Sequence, residues 1–526
     1  MFRACAAFAL AFAPSAQAAG GMETVYLFSA SSPDYQLPHG DLVKGTDGSL
    51  YGTTVYGGES GTGSIYRIDA DGEFDLLHSF NGVDASDANV GGAYPQAGLV
   101  FGNDGALYGT TVYGGVNGTG TVFRFSLGSS VPSLTTLRTF SAVGANSKNV
   151  GGAEPYAALS LGLDGAFYGS THSGGAGGNG TIFRVTKGGQ FSTLHEFSTY
   201  QEGTRNADGA HPLYRLAVGE DGRFYGAVEN GGAYGAGAIF EITPEGSFAT
   251  LHSFGGSDSE GQEPNTVTVG GDGALYGTTE SSGSALFGRG SIFRYTPAEG
   301  LQTLYALSGF AGEGHRPYKR CALVVGPSGQ FYGTALGDDG LGVVYRFVPN
   351  QSFEALYVFG SVAADLAIPD TTLAAGPEGK LYGTASNGEG EAAMNGGIFR
   401  FAPDLNGPVS LSITPATIAA GSAAQLTWSA PGFSYCNAYR SWTGSRGTAG
   451  SQVLSPSAPG TYLYQLSCSN QSGFGKGSKT VFLTVTPVDD SLPAADGESS
   501  GGALSDWTLL LLWTTMLARR RRQCRW

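Results

Sequence analysis

Residues 104–112 read Asp-Gly-Ala-Leu-Tyr-Gly-Thr-Thr-Val, and variants of this block recur along the chain. A Leu-Tyr-Gly or Phe-Tyr-Gly triplet occurs seven times, at spacings of 50 to 60 residues. Its tyrosines are Tyr51, Tyr108, Tyr168, Tyr225, Tyr276, Tyr332 and Tyr382. A proline stands about 13 residues before each one. Self-similarity at this period indicates a tandem array of one structural unit.

The second copy shows what one unit contains. Four stretches have the apolar and aromatic composition of short strands, and Asn103-Asp104-Gly105 supplies a tight turn between the first two. The stretches are Gly98 to Phe101, Ala106 to Val112, Thr121 to Phe125 and Leu134 to Phe140. Four strands in this length match one blade of a β-propeller. The aspartate is therefore interpreted as a turn residue and not as a metal ligand.

The two ends of the array indicate how it closes. The fourth-strand motif, Leu77-His78-Ser79-Phe80 in the first unit, is missing after the seventh unit, which ends at Phe401. An isolated copy, Val25-Tyr26-Leu27-Phe28, precedes the first unit. Joining the two would remove the exposed strand edges of an open array. The sequence predicts an all-β protein with a seven-bladed β-propeller over residues 22–403; a solenoid is the alternative.

Composition excludes several classes of protein. Of 526 residues, 87 are glycine and only 13% are charged, whereas about 25% are charged in an average protein. A helical bundle, a coiled coil and a highly charged disordered chain are excluded. The formal net charge of −15 also argues against a nucleic-acid partner, which would require clustered Lys and Arg.

The first residues predict export. Residues 1–18 contain Arg3, an apolar stretch and an Ala-x-Ala site, so we expect signal peptidase to cleave between Ala18 and Ala19. An apolar N-terminal strand is the alternative. Export places the chain in an oxidising compartment.

The C-terminal end resembles a sorting signal. After a polar linker at 488–502, residues 503–526 contain a short apolar run and an arginine cluster. With Gly501 and Gly502 before it, this order resembles the GlyGly-CTERM type of bacterial signal, which implies processing by a sorting protease near the two glycines. The protein would be cell-surface or secreted, contacting membrane only through this tail. A retained transmembrane tail is the alternative, although the run is short for a bilayer span.

A second module follows the array. Residues 409–487 alternate like the strands of a sandwich and lack the Tyr-Gly block. We predict an immunoglobulin-like β-sandwich, joined through a linker at 404–408, and it resembles such modules of bacterial surface proteins. Cys436 and Cys468 are its two cysteines and are predicted to form a disulfide in an exported chain. Cys321 is interpreted as a buried structural thiol.

The repeated blocks also resemble a known family. Asp-Gly-x-Leu-Tyr-Gly-Thr-Thr, Gly-Gly-x-x-Gly-x-Gly-Thr-Ile-Phe-Arg and Leu-His-Ser-Phe are similar to the GloVer tandem repeat of exported choice-of-anchor proteins. The resemblance covers Gly21 to about Pro403. It implies export and a repeat fold, and it transfers no catalytic residue.

Candidate site residues are those that depart from the repeat. Four residues after the repeat tyrosine, three consecutive units have His172, Glu229 and Glu280, where the first two units have valine. Asp41 and Arg215 occupy a first-strand position that is small or neutral in the other units. In a closed propeller the long loops, such as Tyr56 to Thr62 and Asn81 to Tyr94, emerge on one face. We predict that these five residues form a ligand surface on this long-loop face, able to hold a cation or sugar hydroxyls. The alternative is a solvated loop face.

Two functions remain open. The first is a binding module that reads a glycan or a surface protein with loop aromatics such as Tyr56, Tyr94 and Tyr156. The second is an extracellular hydrolase or lyase acting on polysaccharide with paired carboxylates. The chain contains no nucleophile elbow, HExxH, P-loop or CxxC motif, so binding is favoured. No cofactor and no metal site is predicted.

Overall fold

The structure is a computed structural model of the whole chain. It describes residues 22–28, 36–69, 71–128, 132–200, 205–257, 260–281, 289–307, 316–317, 321–326, 329–336, 341–359, 366–376, 380–388, 396–401, 409–430, 433, 435–469 and 476–487. These residues form short β-strands, turns and one 3-10 turn at Ala145–Ser147. The fold is all-β, as the sequence predicts.

Four or five short strands make up each of the first three units. Strand β1 (Met22–Leu27) precedes them. Unit one has β2 (Gln36–Pro38), β3 (Val43–Lys44), β4 (Leu50–Tyr56), β5 (Ser64–Ile68) and β6 (Phe74–Ser79). Unit two has β7 (Val100–Phe101), β8 (Leu107–Thr111), β9 (Thr121–Ser126) and β10 (Ser133–Thr139). Unit three has β11 (Ser160–Leu161), β12 (Phe167–Thr171), β13 (Thr181–Val185) and β14 (Phe191–Glu196).

The next four units repeat this pattern. Unit four has β15 (Ala217–Val218), β16 (Phe224–Val228), β17 (Ala238–Ile242) and β18 (Phe248–Ser253). Unit five has β19 (Gln262–Val269), β20 (Leu275–Ser281), β21 (Ser291–Thr296) and β22 (Gly300–Ala306). Unit six has β23 (Arg316–Pro317), β24 (Val324–Val325), β25 (Phe331–Leu336), β26 (Val343–Val348) and β27 (Ser352–Val358). Unit seven has β28 (Leu366–Ala367), β29 (Ala374–Ala375), β30 (Leu381–Ala385), β31 (Asn387–Gly388) and β32 (Gly397–Phe401).

The C-terminal module contributes the remaining strands. They are β33 (Ser410–Thr414), β34 (Thr417–Ala419), β35 (Ala424–Ser429), β36 (Tyr435–Arg440), β37 (Gly444–Arg446), β38 (Ala449–Leu454), β39 (Gly460–Ser469) and β40 (Lys476–Thr486).

Each unit is an antiparallel meander organised by the Tyr-Gly block. In unit three, Ser160 pairs with Tyr168, and Tyr168 pairs with Arg184 on the next strand. The glycine after the tyrosine is needed for packing, because a Cβ on Gly169 would lie 2.6 Å from the ring of Phe183. The tyrosine ring stacks on the neighbouring unit: Tyr168 lies 4.0 Å from Phe224 of unit four, between ring centroids. The main core therefore lies between successive units.

The Asp-Gly turns have the structural role predicted for them, and they have a further partner that the local sequence does not indicate. Asp104 accepts hydrogen bonds from the Ala106 N–H at 3.3 Å and the Tyr108 hydroxyl at 3.0 Å. Arg124, on the third strand, donates to the same carboxylate from Nη2 at 2.9 Å. Burial alone would raise the pKa of Asp104, but the bonds from Arg124 and Tyr108 lower it. The turn is thus locked to two strands of its own unit.

The N-terminal strand completes the last unit. Strand β1 pairs with β32, giving a sheet in the order β1, β32, β30, β29. Phe28 also donates its N–H to the Gly396 carbonyl at 3.1 Å. A second contact joins unit seven to unit one, because the Thr372 N–H donates to Asp41 Oδ1 at 2.8 Å. The two ends of the array are thus hydrogen-bonded to each other.

The C-terminal module contains the predicted disulfide. Cys436 and Cys468 are bonded, with their Cα atoms 4.0 Å apart on paired strands β36 and β39. Its buried residues, among them Leu426 and Leu483, form one cluster around that bond. Strands β33, β35 and β38 form a further sheet.

The module is not attached through a linker alone, which differs from the expectation of a separate domain. Strand β40 pairs with β27 of unit six, from Ser352 opposite Val481 to Ala355 opposite Ser478. Phe482 packs into the core cluster that contains residues of units five and six. The outer edge of unit six is thereby covered. This explains why β27 is buried along most of its length while the fourth strands of the first five units are partly exposed.

Two expectations about the ends fall outside the described residues. The predicted cleavage site at Ala18 and Ala19 does so, and so do Gly501, Gly502 and the tail at 503–526. Among the residues that the structure does describe, no helix is long and apolar enough to cross a membrane.

Candidate ligand-binding cavity

The residue before the repeated proline holds a backbone conformation that is uncommon outside glycine. In six units φ at this residue is between +56° and +59°. The residues are Leu37, Tyr94, Glu154, His211, Glu263 and Ile368. In unit three the Glu154 N–H donates to the Thr119 carbonyl at 2.9 Å, and the Glu154 carbonyl accepts from the His172 N–H at 3.0 Å. Such strained positions persist where surrounding contacts enforce them, and they are common at binding sites.

First-strand residues of all seven units line one cavity. Its volume is about 410 Å³, within the ~300–1,000 Å³ typical of small-molecule sites. The residues equivalent to Asp41 and Arg215 all contribute to it: Gly98, Ala158, Thr266, Ala322 and Thr372. Strand register explains why these equivalent residues line the same cavity. The residues two positions further along the chain, such as Val43 and Ala217, pair with the repeat tyrosines Tyr51 and Tyr225, so each unit holds its first strand in the same register. The predicted equivalence of these seven positions therefore agrees with the structure.

Arg215 and Asp41 are the oppositely charged residues of the wall. Arg215 is exposed to the cavity. Protein nevertheless surrounds it: loss of bulk water lowers the pKa of its guanidinium, and the Asp41 carboxylate opposes that shift. Arg215 thus borders the open space of the cavity, while protein atoms lie on its other sides. An arginine stays charged in such a place, so the cavity presents a cation to any ligand that enters.

Thr266 is a second polar group on this wall. It stands at the position in unit five that Arg215 occupies in unit four, and only 4% of its surface is exposed. Its Oγ1 has no hydrogen-bond partner among the described residues. In the sequence Thr266 is one of several neutral residues at this position, so nothing marks it there as a site residue.

His172 lies in a cluster next to the cavity residue Tyr156. Its Nδ1 is 3.6 Å from Glu154 Oε2, and its ring stacks on His211 at 4.7 Å between centroids. The ring of Tyr156, a cavity residue, lies edge to face with that of His172, at 5.5 Å between centroids. Burial lowers the pKa of His211, while Glu229 and Glu154 act to raise it. Glu154 and His211 both directly precede a repeated proline. That position in the repeat is the sequence signal by which they could have been predicted as site residues.

Glu229 is joined to the same region. The hydroxyl of Tyr214, another cavity residue, donates to Glu229 Oε2 at 3.2 Å. His172 and Glu229 thus connect to the cavity through Tyr156 and Tyr214. Glu280 is half-buried on the equivalent strand of unit five, and its membership of the same site stays a prediction.

Nearby acidic loop residues are used to fix the loops. Asp208 Oδ2 lies 3.1 Å from His195 Nε2 and also accepts from the Ser198 N–H. Glu260 is bound to His252 in the same way, at 3.1 Å. These histidines belong to the repeated fourth strand, as predicted. No group of three His, Cys, Asp or Glu residues positioned to hold a metal occurs in the described part of the chain.

Units one and two also carry a cluster of loop tyrosines. The ring of Tyr94 contacts Tyr56 at 5.8 Å and Tyr113 at 5.9 Å, each edge to face. Tyr56 is 43% exposed. These three tyrosines form a rigid aromatic cluster, and Tyr94 is two residues before the cavity residue Gln96.

Comparison with solved structures finds distant similarities. One is the extracellular domain of a protein described as a hybrid two-component system from B. thetaiotaomicron, with 12% identity and a TM-score of 0.46 over 89% of this chain and 58% of that one. This chain thus spans less than two thirds of that relative. A fungal alcohol oxidase in complex with copper has 14% identity and a TM-score of 0.44 over 89% and 99%. Puromycin hydrolase has 13% identity and a TM-score of 0.39 over 89% and 64%. Similarity at these TM-scores carries no information about function.

Sequence comparison assigns the repeats. No similarity to a curated protein is detected. The family described as the Gloeobacter/Verrucomicrobia repeat matches over residues 15–211, 84–284 and 212–450. Those matches contain all seven Tyr-Gly blocks. The chain therefore belongs to the Gloeobacter/Verrucomicrobia repeat family.

Proposed function

We propose that this is an exported repeat protein that binds a glycan through the cavity and the loop face around it. The observation that carries the proposal is the cavity itself, which residues of all seven units line and in which Arg215, Tyr156 and Tyr214 form part of the wall. Tyrosine and hydroxyl groups around a confined cation suit a polar, hydroxyl-rich ligand. His172, Glu229 and Glu280 are proposed to extend the site onto the loops.

The finer architecture belongs to the same proposal. The seven units would form a seven-bladed β-propeller closed by β1, and β33 to β40 an immunoglobulin-like sandwich. Pairing of β1 with β32 and the cavity shared by all units support the first part. The two sheets of the module and the disulfide between Cys436 and Cys468 support the second.

Export and surface location are supported from two directions. The Ala-x-Ala site before Ala19 is typical of a signal peptide. The Cys436 to Cys468 disulfide fits an oxidising compartment. Mass spectrometry of the mature ends should find Ala19 at the start and an end near Gly501 or Gly502. An intact chain from Met1 to Trp526 in the exported pool would contradict this part.

A glycan array on the purified protein tests binding, and two matched variants locate it. Tyr156→Ala, in the cavity wall, should abolish binding of the glycan that the array identifies. Tyr234→Ala, at a tyrosine that is 52% exposed and does not line the cavity, should leave it intact. Unchanged melting temperatures show that both variants fold.

Three results would contradict the proposal. Loss of binding only in Tyr234→Ala would move the ligand to the outer loops. Absence of any glycan signal, with a surface protein captured instead, would favour the protein partner. Shortening of a bound polysaccharide would favour the hydrolase or lyase.

A further inference from the structure

The cavity contains a cation that the protein itself does not neutralise directly. In the part of the chain that the structure describes, the Arg215 guanidinium makes no hydrogen bond and no ion pair, although Asp41 is close enough to act on its charge. Asp41 accepts the Thr372 N–H instead, at 2.8 Å. A guanidinium has five N–H donors in a planar fork. Inside a protein cavity, an acceptor on a bound ligand would form hydrogen bonds with these donors and so contribute to the binding free energy.

Thr266 is an independent indication of a missing partner. It is almost fully buried on the same wall, and among the described residues nothing bonds to its Oγ1. A buried hydroxyl without a partner costs free energy, and a ligand atom at this wall would supply the missing bond. The equivalent threonine of unit seven, Thr372, uses its hydroxyl to accept from the Ala322 N–H. That bond gives the Thr372 hydroxyl a structural role, which the Thr266 hydroxyl lacks.

We propose that the cavity binds the carboxylate of an acidic saccharide, such as a hexuronate, with Arg215 holding the carboxylate and Thr266 bonding to a neighbouring oxygen. This inference rests on the proposed glycan binding and names the class of glycan. A carboxylate matches the planar guanidinium fork with two parallel hydrogen bonds. The saccharide hydroxyls would meet the polar side chains of the wall, among them Asp41 and Thr268, and the sugar ring would lie near Tyr156.

The negative net charge of the protein favours a ligand with few negative groups. The chain has a net charge of −15, and a field of that sign repels polyanions such as nucleic acid. Asp41 adds a carboxylate to the wall itself. A single carboxylate facing Arg215 is compatible with this field, whereas a polyphosphate is not.

The test is titration of the whole exported protein with D-glucuronate, D-glucose and glucose 6-sulfate by calorimetry. Glucuronate should bind more tightly than the other two. Arg215→Met should weaken glucuronate binding by roughly 10- to 100-fold, the range for a charged hydrogen bond. Thr266→Val should weaken it by about 2- to 10-fold, the range for a neutral one, without lowering the melting temperature. Lys187→Met, which removes one exposed positive charge from a turn of unit three, is the control and should bind normally.

Each contrary outcome has its own meaning. Equal affinity for glucose, or normal glucuronate binding by a folded Arg215→Met, would overturn the carboxylate assignment while leaving glycan binding standing. Equal affinity for glucose 6-sulfate would show that the cavity responds to negative charge alone, and the carboxylate assignment would fall. Should Arg215→Met fail to fold, Arg215→Lys keeps the charge without the fork and should still lose most of the affinity. If the array and the titration both show no saccharide, the proposed function fails as well.

Discussion

Glu354 of unit six and Lys479 of the C-terminal module face each other where the two parts of the chain meet, with Lys479 Nζ 3.5 Å from Glu354 Oε1. Only 2% of the Glu354 side chain is exposed, and its carboxylate also binds Arg346. Asp75 occupies the same repeat position in unit one, where it pairs with Arg67 and is 51% exposed. Docking of the module has therefore buried what is a surface ion pair in the first unit.

We expect Glu354→Ala to lower the free energy of unfolding by about 3 kcal/mol, because it leaves two cations at a buried junction without their shared counter-charge. The value is at the low end for buried pairs, since Arg346 and Lys479 keep some contact with water. Asp75→Ala is the matched control and should cost less than about 1 kcal/mol. Denaturant unfolding measures both; equal losses in the two variants would contradict the explanation.

Closure by the N-terminal strand should be visible in stability. Phe28 is 5% exposed and packs against Tyr66 and Phe74 of unit one. Phe28→Ala should therefore cost about 3 to 5 kcal/mol. Leu27→Ala alters the adjacent residue, which is 56% exposed, and should be nearly neutral. Thermal unfolding compares the two, and an unaffected Phe28→Ala would mean that β1 contributes little to the closed array.

The disulfide should stabilise the C-terminal module. It joins residues 32 apart in sequence, and a loop of this size predicts a contribution of about 3 to 4 kcal/mol from the lost entropy of the unfolded chain. The double variant Cys436→Ala and Cys468→Ala should unfold at correspondingly lower denaturant. A reductant should weaken the natural protein and leave the double variant unchanged. Equal sensitivity of both proteins to reductant would contradict this prediction.

The Asp-Gly turns predict loss of stability in acid. The pKa values of Asp47, Asp104, Asp164 and Asp272 are all lowered, because hydrogen bonds to the carboxylates outweigh the effect of burial. A carboxylate whose pKa is lower when folded adds stability above its unfolded pKa, near 3.9, and loses it as the pH falls through the folded value. Stability should thus decline below about pH 4.

Variants assign that pH dependence to the turns. Asp104→Asn keeps an oxygen for the turn but removes the charge, so unfolding measured between pH 7 and pH 2 should show a smaller acid loss. Asp71→Asn, in an exposed turn of unit one, should behave like the natural protein. If Asp104→Asn keeps the full acid loss, other carboxylates are responsible.

The same units predict a second loss in alkali. Burial raises the pKa of Tyr168 to about 12, with the Arg184 bond acting in the opposite direction. A phenol whose pKa is higher when folded adds stability below its unfolded pKa, near 10, and loses it as the pH rises through the folded value. Tyr168→Phe should therefore flatten the decline between about pH 10 and pH 12, and an unchanged slope would contradict the assignment.

Sequence alone was sufficient for features that each unit specifies locally. The Tyr-Gly block needs glycine because Phe183 and its equivalents pack on it. Asp104 accepts a hydrogen bond within its own turn. Both features can therefore be predicted from the repeated blocks. Seven copies also make equivalent positions comparable, and the comparison identifies Asp41 and Arg215 as departures from the repeat. Because their positions are equivalent, both residues line the same cavity. The isolated copy of the fourth-strand motif at Val25 also indicates that this strand pairs with β32, because unit seven lacks that motif.

Tertiary structure alone decided what depends on contacts between distant segments. Burial of Glu354 requires β40, more than a hundred residues later in the chain, and no local pattern specifies that pairing. Arg124 can donate its hydrogen bond to Asp104 only when the third strand of the unit lies beside the second. His172 stacks on His211 of the next unit, and the Thr266 hydroxyl is buried without a partner among the described residues, only after neighbouring units have packed together. Local sequence determines strands and turns, whereas the distances and the burial of charges arise only when all the units pack together.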